Sequence, residues 1–140
     1  MHSLFVKIPK WLQKKFPRLV WRVATSQKEI YLTFDDGPTP KVTQWVLQEL
    51  EKYEAKATFF CIGKNTKAHP EIVKELKKRG HSIGNHTCNH VNGWHASTQS
   101  YIEEIEQTQK IFDETMGSSS FLFRPPYGKI KPAQAKALIQ

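Results

Sequence analysis

The chain has 140 residues, enough for one domain with a buried core, and no stretch approaches the ~20 apolar residues of a membrane-spanning helix. Its formal net charge is +8, but residues 1–27 hold six basic residues and no acid, so they contribute +6 of it. The other residues, with 15 basic and 13 acidic side chains, are nearly neutral. Basic and aromatic residues form no interleaved surface there, so no nucleic-acid partner is predicted.

Residues 1–27 are interpreted as a basic N-terminal segment. Pro9 and Pro17 bracket a short amphipathic piece, residues 11–16, and no small-residue cleavage site follows it. No signal peptide is therefore predicted, and a cytoplasmic or membrane-peripheral location is favoured. Weak contact with an anionic membrane surface is one hypothesis for the charge. The plainer alternative is a solvated segment that packs across the domain through its apolar residues.

From residue 28 onward, strand and helix patterns alternate. Strands are predicted at residues 29–34, 57–62, 81–85 and 121–124. Four helices are predicted. The first opens at Thr39, the second covers residues 70–79 and the third covers residues 99–116. The fourth begins after Pro132 and still runs at Gln140. Thr39 and Ser100 are the predicted N-caps, and Gly80 and Gly117 the predicted ends of the two middle helices. The predicted inward faces are Val42, Val46 and Leu50, then Ile72, Val73 and Leu76, then Ile102, Ile105, Gln109, Phe112 and Met116.

This alternation predicts an α/β fold with a parallel sheet, whose site lies at the carboxyl ends of the strands. Asp35 and Asp36 end the first strand, His86 and His90 follow the third, and Arg124 ends the fourth. Every unusual cluster of polar residues is therefore expected at the same rim of the sheet.

The residue types at this rim suit metal-assisted hydrolysis. Neighbouring carboxylates on an extended chain point to opposite sides, so one can bind a metal while the other acts as a general base. A divalent ion held by Asp and two His keeps open positions and acidifies its bound water. Arg124 can hold a carboxylate through a two-nitrogen fork, and the turn at Tyr127 can present a backbone N–H to an oxyanion.

Each motif alone has a plainer interpretation. Asp-Asp-Gly-Pro is most often a turn with a helix cap, and His-x-x-x-His is usually a pair of polar loop residues. Cys61 and Cys88 are interpreted as free thiols. His81 is predicted to have a structural role and His95 a loop role. Among the tryptophans, Trp94 is the one considered for lining a sugar groove, against a packing role as the alternative.

Three segments resemble, in order, the first three motifs of the polysaccharide deacetylase family (NodB homology, carbohydrate esterase four). They are residues 33–38 (TFDDGP), 86–90 (HTCNH) and 124–128 (RPPYG). The resemblance covers roughly residues 29–128. It implies a distorted (β/α) barrel of the seven-stranded type and a metal-dependent hydrolase. The implied reaction removes N-acetyl groups from an N-acetylated glycan such as peptidoglycan or a chitin-like polymer.

The resemblance also implies a role for each site residue, assigned by its position in the matching motif. Asp35 would be the catalytic base, Arg124 would orient it, and the Tyr127 backbone N–H would contact the oxyanion. The implied metal ligands are Asp36, His86 and His90. The implied metal is zinc, with cobalt or another divalent ion as alternatives.

The sequence departs from the family in its later motifs. An Asp-and-Trp element and a Leu-x-His, whose His is the general acid, are both missing from the 140 residues. About four β-α units stand where the barrel needs about seven. The expectation is therefore a truncated product, with residues 28–140 as a partial catalytic domain that lacks the acid for the leaving amine. The alternative is an inactive remnant that binds metal and glycan.

Overall fold

The computed structural model describes residues 8–17 and 19–139, except the side chains of residues 12 and 15. The chain divides into two units, Met1–Ile30 and Tyr31–Gln140. Helix α1 of the first unit spans Lys10–Lys15, so the short amphipathic piece is helical. The predictions that concern residues 1–7 and 18 lie outside the described residues.

Three parallel strands form the sheet of the second unit. Strand β1 spans Leu32–Gly37, β2 spans Ala57–Cys61 and β3 spans Ser82–Asn85, in the order β1-β2-β3. The predicted α/β class is confirmed. The predicted start of β1 at residue 29 is wrong, since pairing with β2 begins at Leu32 and continues past Asp35 to Gly37 through an irregularity. The acidic pair therefore lies within the last part of β1.

The predicted fourth strand, residues 121–124, is reduced to a single parallel bridge between Asn85 and Phe123. The Ser120 hydroxyl explains the loss of further pairing. It donates to the Ile83 carbonyl and accepts from the Leu122 N–H, so it occupies backbone groups that a longer ladder would use. The segment still reaches the sheet edge where the sequence places it.

Five helices and one 3₁₀ turn belong to the described part of the second unit. They are α2 (Val42–Lys52), α3 (Gly63–Ala68), α4 (Pro70–Lys78), α5 (Thr98–Met116), the 3₁₀ turn Pro126–Gly128 and α6 (Pro132–Leu138). Helix α3 is absent from the prediction. Helix α6 ends at Leu138 with Ile139 as its cap, and Gln140 lies outside the described residues. No helix in the described ranges is both long and apolar enough to span a bilayer.

The core lies between one face of the sheet and helices α2, α4 and α5. Its buried residues include Leu47, Phe59, Leu76 and Phe112. The predicted inward face of α4, with Ile72, Val73 and Leu76, is confirmed. Helix α4 ends with Arg79 as its cap, and Gly80 follows with a φ of +76°. That left-handed conformation suits glycine, as the sequence predicts at this helix end.

Helix α2 begins later than predicted, and its predicted inward face is confirmed at Leu50 and Val46 but not at Val42. Its N-cap is Lys41, not Thr39, because the buried Thr43 hydroxyl accepts from the Thr39 N–H at 2.8 Å and holds the entry as a turn. Leu47 is 3% exposed, while Val42 is 59% exposed. The prediction of Val42 as an inward residue is therefore wrong.

Helix α5 is capped by Ser97, whose hydroxyl accepts from the Ser100 N–H at 3.1 Å. Ser100 is therefore inside the helix, and the predicted cap at Ser100 is wrong. Gly117 ends the helix with a φ of +65°, as predicted. Of the predicted inward face, Ile105 and Phe112 are buried and Ile102, Gln109 and Met116 are half-buried. The sequence missed Tyr101, Thr108 and Ile111, which are also buried.

Two substitutions on α2 test which of its faces packs against the core. Leu47→Ala should lower the free energy of unfolding by about 2–5 kcal/mol, because it leaves a cavity among buried side chains. Val42→Ala, on the exposed face, should change it by less than ~0.5 kcal/mol. Urea unfolding of the two purified variants measures both values. A larger loss for Val42→Ala would mean that the helix packs through the other face.

Candidate metal centre

Three side chains from two separate segments meet at the carboxyl ends of β1 and β3. The Nε2 atom of His86 lies 3.3 Å from Asp36 Oδ1, and the Nε2 atom of His90 lies 3.1 Å from the same oxygen. The three candidate ligand atoms all lie within 4.8 Å of one another. Tetrahedral ligands at bond lengths of ~2.0–2.1 Å are separated by about 3.3 Å. These side chains therefore fit one divalent ion.

The backbone around these ligands is unusual. Positive φ values, which residues other than glycine seldom adopt, occur at four positions here. They are Asp36 (66°), Thr87 (63°), His90 (56°) and Tyr127 (58°). Such conformations cost of order 1–3 kcal/mol each and persist where surrounding contacts enforce them. One such contact is the Asn65 side chain, which donates to the Asp36 carbonyl at 2.9 Å.

His86 is held in the tautomer that a metal requires. Its Nδ1 lies 2.7 Å from the Arg124 carbonyl oxygen, which only accepts, so Nδ1 carries the proton and Nε2 faces Asp36 with a free lone pair. The side chain is 3% exposed. Burial lowers the pKa of His86, although the Arg124 carbonyl and the charges of Asp35 and Asp36 act in the opposite direction. The imidazole is therefore favoured in its neutral, metal-binding form.

His90 is oriented by a different partner. Its Nδ1 lies 3.2 Å from the Tyr127 hydroxyl, and the two ring centroids are 4.6 Å apart. When the Nε2 lone pair faces the candidate metal position beside Asp36, Nδ1 carries the proton and can donate it to the phenol oxygen. The Tyr127 hydroxyl is a support that sequence reasoning missed, since the motif drew attention to the backbone of this residue.

Asp35 lies outside the ligand cluster and pairs with Arg124. The Nη1 atom of Arg124 donates to Asp35 Oδ1 at 2.8 Å and to the Thr33 hydroxyl at 2.8 Å. A single nitrogen makes the contact, where the sequence predicted a two-nitrogen fork. The guanidinium also lies 4.1 Å from the centroid of the Phe60 ring, a cation–π contact that limits its movement.

Helix α3, which the sequence did not predict, supports the loop that carries both histidines. Its first N–H groups, from Gly63 and Lys64, donate to the carbonyls of Thr87 and Cys88, both at 3.0 Å. A Cβ at Gly63 would lie 2.7 Å from the Thr108 hydroxyl oxygen. Close packing therefore requires glycine here, and a glycine directly after a buried strand was the available signal.

Helix α5 holds the same loop at two points. The buried Asn85 side chain donates to the Ile105 carbonyl and accepts from the Thr87 N–H, both at 2.9 Å. The Glu104 carboxylate accepts from the Asn89 backbone N–H at 2.7 Å and from its side-chain amide at 2.8 Å. These bonds fix the loop just before His86 and between the two histidines.

Among the residues that the structure describes, His69, His81, His95 and both cysteines lie outside the ligand cluster. His81 is buried and its Nδ1 accepts from the Ala57 N–H at 3.3 Å, which agrees with the predicted structural role, while His95 is exposed. Both cysteines are buried free thiols. Burial raises the pKa of Cys61 to about 12 and also raises that of Cys88, which disfavours their thiolate forms.

All six site residues singled out in the sequence open onto one pocket of about 350 Å³. The pocket is lined by Asp35, Asp36, His86, His90, Arg124, Pro125, Tyr127 and Gly128. It thus brings together a candidate metal site, a carboxylate held by an arginine, and the backbone turn at Tyr127. This is an arrangement that can bind a cation and activate a water beside it.

Comparison with known proteins identifies peptidoglycan deacetylases with similar sequence and structure. A peptidoglycan-N-acetylglucosamine deacetylase of Bacillus cereus is 42% identical over 118 residues, which are 84% of this chain and 55% of the relative. The solved structure of peptidoglycan deacetylase PdaC from Bacillus subtilis matches with a TM-score of 0.79 at 37% identity, over 83% of this chain and 57% of that one.

A third match is a family 4 acetyl xylan esterase of Clostridium thermocellum, solved with a cobalt ion. It has a TM-score of 0.70 at 32% identity, and the match covers 74% of this chain and 51% of the esterase. The chain thus spans about half the length of these three relatives. The family model for polysaccharide deacetylase matches residues 22–140. The chain therefore belongs to the polysaccharide deacetylase family.

Proposed function

We propose that residues 28–140 form part of the catalytic domain of a metal-dependent hydrolase that removes N-acetyl groups from an N-acetylated glycan. The observation that carries the proposal is the convergence of His86 and His90 on Asp36, with Asp35 held separately by Arg124. The names of the two peptidoglycan deacetylases favour peptidoglycan as the substrate, and a chitin-like glycan is the alternative. In this proposal the parallel sheet belongs to a distorted (β/α) barrel of the seven-stranded type.

The donor set of one carboxylate and two imidazoles suits zinc, with cobalt or another divalent ion as alternatives. Asp36, His86 and His90 would hold the ion. When bound, such an ion supplies Lewis acidity, which polarises an acetyl carbonyl and lowers the pKa of a water. Asp35 would accept the proton of the attacking water as general base. Arg124 would keep that carboxylate aimed at the pocket.

The backbone N–H of Tyr127 would stabilise the negative charge that develops on the acetyl oxygen. Two observations support this role. The positive φ of Tyr127 places the residue in a sharp turn that opens onto the pocket. Among the described residues, no acceptor takes this N–H, while the next two N–H groups bond back to Pro125 and Pro126.

Protonation of the leaving amine needs a general acid that the proposal does not find in residues 1–140, because they contain no Leu-x-His. A second candidate function for these 140 residues is binding of a metal and a glycan without turnover of an amide. Acetate release from an N-acetylglucosamine oligomer by this chain would exclude that second candidate.

Zinc titration tests the ligand set. Asp36→Ala and His86→Ala should each weaken zinc binding by more than about 100-fold, because loss of a ligand costs more than the 10–100-fold cost of losing a supporting partner. His69→Ala, at a histidine outside the cluster, is the matched control and should bind zinc as the parent chain does. Competition with a chromophoric chelator measures the affinities. Parent-like zinc affinity in Asp36→Ala would refute the assignment.

The contact between Tyr127 and His90 makes a separate prediction. Tyr127→Phe keeps the backbone N–H but removes the hydroxyl that orients His90, so zinc affinity should fall by about 10–100-fold. Tyr53→Phe, at an exposed tyrosine next to the end of α2, is the control. The same competition assay measures both. Unchanged affinity in Tyr127→Phe would show that the hydroxyl does not position the ligand.

The role of Asp35 can be tested with an aryl acetate, whose phenolate leaving group needs no general acid. The zinc-loaded chain should hydrolyse this ester, and Asp35→Asn should slow the reaction by about 10²–10⁴-fold while zinc binding is retained. Asp113→Asn, at the far end of α5, is the matched control. Stopped-flow absorbance follows phenolate release. Full activity in Asp35→Asn would contradict the proposed base. Hydrolysis that survives chelation of the zinc would contradict the proposed metal dependence.

A further inference from the structure

Two exposed residues beside the pocket, Trp94 and Lys129, take no part in the proposed hydrolysis and are called the Trp94 platform below. They adjoin Tyr127, which lines the pocket. The Lys129 Nζ atom lies 5.1 Å from the centroid of the Trp94 ring and 6.0 Å from that of Tyr127. Trp94 is 58% exposed. Within residues 8–17 and 19–139, no acidic side chain forms an ion pair with Lys129.

The platform is supported by a buried side chain that forms hydrogen bonds to both of its loops. Gln134, at the start of α6, is 0% exposed and joins the two loops that carry the platform residues. Its Nε2 donates to the Gly93 carbonyl at 2.9 Å, and its Oε1 accepts from the Lys131 N–H at 2.8 Å. The Lys131 ammonium adds a bond to the Ala96 carbonyl at 2.7 Å. An exposed tryptophan is thus fixed to a buried support.

The two loops also touch directly. A Cβ on Gly93 would lie 2.4 Å from the Lys129 carbonyl oxygen and 3.2 Å from Tyr101 Cζ, so only glycine fits at this crossing. The Trp94 N–H is further held by the Asn92 side-chain oxygen at 3.0 Å. Trp94 and Lys129 therefore lie side by side because their backbones are packed together. A preorganised surface of this kind loses little conformational entropy when it binds a ligand.

We propose that the Trp94 platform binds a sugar that neighbours the reacting one in the glycan, and that this neighbouring sugar carries a carboxylate. This proposal rests on the proposed function of the metal centre. The indole offers an apolar face for the C–H face of a pyranose ring, and the Lys129 ammonium offers a counter-charge for the acid. Tyr127 links the two sites, since its hydroxyl contacts His90 and its ring lies next to Lys129.

The test compares two matched probes on the zinc-loaded chain by calorimetry. One is an oligosaccharide of alternating N-acetylglucosamine and N-acetylmuramic acid, which carries a carboxylate, and the other is its neutral methyl ester. The parent chain should bind the acid about fivefold more tightly than the ester, as expected for an exposed charge pair. Raising the salt concentration should reduce this preference.

Variants separate the two parts of the platform. Lys129→Gln should bind the acid and the ester equally, whereas Trp94→Ala should weaken both by about 10-fold, and Trp94→Tyr should retain most of the affinity. Lys110→Gln and Trp45→Ala, at exposed positions on α5 and α2, are the controls and should match the parent chain. Zinc affinity should stay unchanged in every platform variant, which also shows that each one is folded.

The outcomes distinguish the platform from the metal centre. If the parent chain binds zinc and both oligosaccharides equally, and Trp94→Ala changes nothing, the platform proposal is overturned while the proposed function stands. If the parent chain binds no zinc, the proposed function fails and the platform proposal falls with it. If it binds zinc but neither oligosaccharide, the platform proposal is overturned and the chitin-like alternative for the substrate is favoured.

Discussion

Two imidazole nitrogens approach a single carboxylate oxygen, Asp36 Oδ1, and much of the described second unit serves to hold them there. The arrangement has a cost, because Asp36 and His90 both have left-handed backbone conformations. Three kinds of contact offset it. The first N–H groups of α3 donate to carbonyls of the loop that carries the histidines, and Asn85 and Glu104 tie that loop to α5. The Asn65 amide donates to the Asp36 carbonyl. A divalent ion between the three side chains would give this arrangement its physical reason.

Arg124 couples the two halves of the site. Its carbonyl oxygen fixes the tautomer of His86, and its guanidinium donates to Asp35, the other member of the acidic pair. Its backbone N–H bonds to the Asn85 carbonyl at 3.0 Å, which ties the same residue to the end of β3. One residue thus sets the distance between the candidate base and a candidate metal ligand. The adjacent carboxylates can therefore have different partners and different roles although they are neighbours in sequence.

Sequence reasoning succeeded where a signal is local or follows from topology. The apolar run of β2 and the spacing of Ile72, Val73 and Leu76 predicted their elements well, and the rule for parallel sheets placed the polar clusters at one rim. It failed where distant side chains decide the structure. Helix α3 (GKNTKA) is short and polar, so it has no apolar period to detect. The Ser120 hydroxyl that shortens the fourth strand acts on Ile83, 37 residues away, and Gln134 bonds Gly93 across 41 residues. The caps at Lys41 and Ser97 were missed for a different reason: their contacts are local, but Thr39 and Ser100 are competing cap residues within four positions.

X-ray absorption spectroscopy of the zinc-loaded chain would examine the ligand set most directly. A site made by Asp36, His86 and His90 should show two imidazole nitrogens and one carboxylate oxygen, all at about 2.0–2.2 Å, together with oxygen from solvent. A sulfur neighbour at about 2.3 Å would contradict it, since it would bring Cys88 or Cys61 to the metal. A spectrum with no imidazole scattering would contradict it equally.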